Sequence, residues 1–80
     1  MKQLHFDQLG DRVMFDIDLP AQLKTEAEIE RFVKEYAELM IQAKWEKRQI
    51  SANYNEITNE GKVWLPFQCI GIFYLKEKKA

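Results

Sequence analysis

His5, Asp7, Asp16 and Asp18 are the residues of this chain whose types could carry acid–base or cation chemistry. Asp16 and Asp18 alternate along a strand-like stretch, and Asp7 could lie across from them. Paired carboxylates hold a hard cation or exchange protons only with further oxygen ligands or a cleft to work in. No such addition is visible, so a solvated strand face is the expectation. His5 has no second histidine or cysteine at zinc spacing and reads as a solvated histidine on an edge strand. Cys69 is the sole cysteine; its neighbours Phe67, Gln68 and Ile70 predict a small buried hydrophobe rather than a reactive thiol. Ser51 is the only serine and has no GxSxG context, and the three glycines form no phosphate loop. No catalytic residue, cofactor site or metal site is expected, and the chain does not read as an enzyme.

Binding chemistry has better candidates. If the central helix packs only through its apolar stripe, Ile41 and Trp45 are exposed at i, i+4 beside Arg48, a composition suited to a protein contact. The alternative is burial of both under a second layer. Lys44, Lys47, Arg48 and Lys62, interleaved with Trp45, Tyr54 and Trp64, also resemble a single-stranded nucleic-acid platform, where phosphate neutralisation combines with base stacking. A pI of about 5.8 argues against it. Cations at the exit of a helix also need no ligand to explain them.

These residues must be positioned by a single domain, since 80 residues cannot supply two cores. With 46% hydrophobic and 31% charged residues, the chain is too apolar for disorder and too interrupted by charge for a membrane span. The opening residues lack an apolar signal region, so a cytoplasmic location is expected. Charge is uneven: residues 1–40 hold five Lys/Arg against nine Asp/Glu, and residues 41–80 hold seven against four.

Residues 3–8 and 12–19 alternate as two half-buried strands around a tight Gly10-Asp11 turn, with Val13, Phe15, Ile17 and Leu19 on one face. Pro20 ends the second strand. Thr25 and Glu28 form a capping box. Behind it Ile29, Phe32, Val33, Tyr36, Met40 and Ala43 make the core stripe of a helix, with Ala37 and Leu39 at its borders. Glu30 with Lys34 and Arg31 with Glu35 are i, i+4 pairs opposite it. The stripe continues in heptad style to Ile57, but a helix from 26 to 58 would run about 50 Å against a globule roughly 30 Å across. Lys47 in the seam and the run of Ser and Asn after it favour an end near Gln49. A strand over 52–58 then turns at Asn59-Glu60-Gly61. From Lys62 to Leu75 an apolar run is interrupted at Pro66, with Phe67, Cys69, Phe73 and Leu75 on one face and Ile70, Ile72 and Tyr74 on the other.

The expected fold is α+β in ββαββ order, an antiparallel sheet with one long helix packed on one face. The expected function is that of a small non-enzymatic protein-binding regulator or inhibitor, of the kind a phage or other mobile element encodes. Its contacts would be Ile41, Trp45, Arg48, Asp16 and Asp18, and the acidic first half suits a basic partner surface. A homodimer through the last strands or a long helix belongs to the same class. Nucleic-acid binding through Lys44, Lys47, Arg48, Tyr54, Lys62 and Trp64 is the alternative, and no membrane partner is expected.

Overall fold

Alternation of apolar residues makes strands only where the chain can reverse. Gly10 provides the first reversal: its φ of 60° is followed by an ordinary φ at Asp11, the type II′ pattern that suits a two-residue hairpin. A computed structural model describes residues 2–40 and 50–77. The elements are β1 (Lys2–Leu9), β2 (Arg12–Asp18), α1 (Glu26–Met40), β3 (Ser51–Asn55), β4 (Glu60–Leu65) and β5 (Gln68–Glu77). All five strands join one antiparallel sheet in the order β2-β1-β5-β4-β3, and α1 packs on one of its faces. The α+β architecture expected from the sequence is therefore present. The run from Lys62 to Leu75 is two strands rather than one, because Pro66 and Phe67 form the turn between β4 and β5. β3 ends at Asn55, earlier than alternation suggests, and Gly61 lies inside β4.

The capping box forms. Glu28 Oε1 accepts from the Thr25 amide at 3.1 Å, and the Glu28 amide donates to Thr25 Oγ1 at 3.2 Å. Ile29, Val33 and Ala37 are the buried line of α1, while Phe32 and Tyr36 flank it half-buried. Met40 and Leu39 are exposed, and Ala43, the last residue of the expected stripe, lies outside the described residues. These residues meet Leu4, Phe6, Val63 and Phe73 of the sheet in one core. Phe6 joins Phe15, Tyr36 and Phe73 at ring separations of 5.0, 5.8 and 5.5 Å, offset contacts that add specificity to burial.

Two glutamates of α1 do something that helical spacing does not reveal. Glu30 Oε2 accepts the Tyr54 amide, and Glu26 Oε2 accepts the Glu56 amide, each at 2.8 Å. β3 is an edge strand, so its outer amides would otherwise be open to pairing with another chain. The expected Glu30–Lys34 pair is therefore replaced: Lys34 bonds Glu38 at 3.2 Å, while Arg31–Glu35 forms at 3.4 Å as expected. Asn59, at a φ of 53°, closes the β3–β4 turn and acts as a surrogate strand residue. Its side chain donates to the Leu75 carbonyl at 2.8 Å and accepts from the Leu75 amide at 2.9 Å.

Candidate functional site

Since α1 covers one face of the sheet, the other face is bare among the described residues, and strand register says which side chains it carries. Asp18, Gln3 and Lys76 form one row across β2, β1 and β5. Asp16, His5 and Tyr74 form the next. Val13, Gln8, Ile72, Lys62 and Asn53 form a third that crosses all five strands. Cys69, Trp64 and Ser51 form a fourth.

Two register shifts decide this arrangement. One falls between Phe6 and Gln8 against β5, the other between Val63 and Trp64 against β5. Each inserts a residue into one strand, Asp7 in β1 and Ile70 in β5, and so exchanges the faces on either side of it. Met14, with a φ of 52°, sits beside the first shift. Val13 consequently leaves the face of Phe15 and Ile17 and is 63% exposed, a correction to the simple alternation of β2. In β5 the second shift buries Ile70 and exposes Cys69, reversing the expectation for both. Phe67 lies on neither face; it is 98% exposed at the hairpin tip.

His5 is not a solvated edge histidine. β1 is flanked on both sides, and the imidazole is only 12% exposed. Asp16 Oδ1 stands 2.7 Å from Nδ1, and Asp7 Oδ1 stands 3.1 Å from Nε2. Carboxylates only accept, so both bonds form together only when both ring nitrogens carry hydrogen. Lys76 Nζ reaches the second oxygen of Asp16 at 2.8 Å, and the Tyr74 ring lies 4.9 Å from the imidazole. The hydrogen bond from Lys76, with that from His5 behind it, holds the Asp16 carboxyl below its ordinary value. His5, rather than Asp7, stands opposite Asp16 in register, and its imidazole bridges the two carboxylates. Each of these groups has a partner among its neighbours, so the imidazole is held between two carboxylates and Asp16 between His5 and Lys76. Among the described residues, no group of three or more His, Cys, Asp or Glu is arranged to hold a metal ion.

The other candidates separate. Asp16 and Asp18 are on the bare face, where Asp18 accepts from Gln3 at 3.1 Å. Lys62 and Trp64 are there too, the ammonium 6.0 Å from the indole centre. Tyr54 is not: it is buried on the helix side against Phe73 and donates to Asn59 Oδ1 at 2.9 Å, so it cannot stack on a base. Burial, with Glu56 and Glu26 nearby, pushes its hydroxyl above its ordinary pKa. Ile41, Lys44, Trp45, Lys47 and Arg48 lie outside the described residues, and so does the helix end near Gln49. Within α1 the acids are committed internally: Glu30 to β3, Glu26 to the turn just after it, Glu28 to the cap, Glu35 and Glu38 to ion pairs.

The residues that sequence reasoning missed are Val13, Ile72, Tyr74 and Lys76 as one surface. A signal was present in spacing. Leu4, Phe6 and Leu9 recur at two and then three residues, and Ile70, Phe73 and Leu75 at three and then two, as a bulge requires. No described helix is long and apolar enough to cross a membrane. No protein-family model, curated protein or solved structure matches this chain.

Proposed function

We propose that the chain is a non-catalytic protein-binding module, a regulator or inhibitor in kind, whose contact surface is the bare face of its sheet. One observation carries this reading: Val13, Ile72 and Tyr74, with half-buried Trp64, interrupt a polar face with apolar side chains that none of the described elements covers. Val13 is 63% exposed, Ile72 39% and Tyr74 37%, which is a high cost for a face that only meets water. Aromatic and aliphatic anchors inside a charged rim are the composition of protein contacts. Asp7, Asp16 and Asp18 weight that rim toward a partner with basic groups.

The test replaces Ile72 and Tyr74 together by Ser. Both side chains are partly exposed, so the fold is retained, as circular dichroism checks. Quantitative affinity capture from cells with wild type and variant as bait then reads the contact. A partner held by wild type and lost by the variant supports the reading; an identical captured set removes it. Light scattering on the purified chain separates self-association from a foreign partner.

A second reading is supported by Lys62 beside Trp64 on the same face, a cation and a stacking surface together. Oligo-dT quenching of tryptophan fluorescence at about 50 mM salt, lost in Trp64→Ala and at higher salt, would favour it. The three aspartates of the face weigh against it.

A further inference from the structure

A groove lies on the side of the sheet opposite the bare face. The connection from Leu19 to Lys24, with Ile29 of α1 and Tyr54 and Leu75 of the sheet, lines this groove of about 600 Å³. Leu19, Leu23, Ile29 and Leu75 supply its apolar wall, and Lys2 and Lys24 stand at its margin. A groove of this size is in the range that holds a small organic molecule.

The lysines say what kind of molecule. Of the five described lysines, Lys34, Lys62 and Lys76 are each in an ion pair, with Glu38, Glu60 and Asp16. Lys2 and Lys24 are not in one among the described residues, and these two are the lysines that line the groove. Glu56 is the one carboxylate among its lining residues, so the lining carries a net positive charge. An apolar wall with a cationic margin complements a hydrocarbon body ending in an anion.

We propose that this groove binds a small amphipathic carboxylate. Its hydrocarbon part would lie against Leu19, Leu23, Ile29 and Leu75, and its carboxylate at the margin with Lys2 and Lys24. The site is independent of the bare face, which lies on the other side of the sheet.

Sodium octanoate is the probe, titrated into the full chain below its micelle concentration while methyl resonances of Leu19, Leu23, Ile29 and Leu75 are followed by NMR. The expected result is a saturable shift confined to these methyls, with 1-octanol binding about tenfold more weakly because it lacks the charge. In the variant carrying K2Q and K24Q, octanoate and octanol should bind alike; both lysines are exposed, and an unchanged spectrum elsewhere confirms the fold. Leu23→Trp, at a half-exposed position, should fill the groove and abolish binding of both. No saturation by about 10 mM octanoate overturns the proposal. So do equal affinities in the wild type, or shifts centred on Val13 and Ile72. Replacing Ile72 and Tyr74 by Ser leaves octanoate binding unchanged, so failure here and failure of the bare-face reading are distinguishable.

Discussion

Gly61→Ala should cost more stability than any other single-methyl addition in the sheet. Gly61 sits between Tyr54 on β3 and Phe73 on β5, its direct partners in register. Tyr54 and Phe73 stack across it, 5.9 Å apart and 18° from parallel, so the glycine is roofed by aromatic rings. A Cβ at position 61 would clash with Cζ, Cε1 and Cε2 at the far end of the Phe73 ring. That ring is fully buried and also packs on Phe6, so it cannot turn outward. Overpacking of this kind costs about 1–3 kcal/mol. The reduced freedom of the unfolded chain returns about 0.4–1 kcal/mol, leaving a net loss of about 1–2 kcal/mol. At about 4–8 °C per kcal/mol for a domain of this size, Tm should fall by about 5–15 °C. Urea titration followed by circular dichroism reads the free energy directly. The diagnostic variant is G61A combined with F73L, which removes the ring that the new methyl meets. If the clash is the cause, the pair is non-additive by at least about 0.5 kcal/mol, the double variant being more stable than the sum predicts. A Tm unchanged by G61A, or strict additivity, refutes the packing argument.

Four further outcomes follow from the same geometry. Glu30→Ala should destabilise by about 1–2 kcal/mol and speed exchange of the Tyr54 amide, whereas Glu30→Gln keeps an acceptor and loses less. The pair E26A and E30A should make the protein self-associate through β3, as light scattering would detect. Asn59→Gly preserves the left-handed backbone but removes the Leu75 and Tyr54 bonds, so a loss of about 2 kcal/mol in urea separates the side-chain role from the φ requirement. Asp16 should titrate by NMR below the 3.8 of a free aspartate, and Lys76→Met should raise it. Because the folded value is depressed, the stability this carboxylate contributes is present above the unfolded value and lost as pH falls through the folded one.

The helix start was readable because a capping box is local: Thr25 and Glu28 meet through one turn of backbone whatever surrounds them. The Gly10 turn was readable for the same reason. Face assignments were readable only as far as the first bulge. Leu4 and Phe6 point inward as alternation requires, but the parity of β1 changes at Asp7, and that of β5 at Ile70. Whether a one-residue insertion is absorbed in one strand or its neighbour depends on cross-strand pairing, which alternation within a single strand does not encode. Glu30 shows the complementary difficulty. Its partner is a backbone amide 24 positions away, whereas helical spacing alone points to the nearby Lys34. The ionic network around His5 required β1, β2 and β5 to be neighbours, a fact of topology. The candidates at Ile41, Trp45 and Arg48 fall outside the described residues.

The sheet order also constrains how the protein is made. β1 and β5 are the first and last strands described, yet they are neighbours, with β5 at the centre of the sheet. β2 touches the rest of the sheet only through β1, while β3 and β4 reach it only through β5. During synthesis the first hairpin and the helix can form early, and α1 can engage the β3 segment through Glu26 and Glu30, but no strand joins β1 to β4 until Gln68–Glu77 has been made. Until then Leu4, Phe6 and Val63 lack their β5 partners Leu75, Phe73 and Gly71. The nascent chain therefore keeps the facing edges of β1 and β4 unpaired until β5 enters between them, and that one insertion joins the two halves of the sheet.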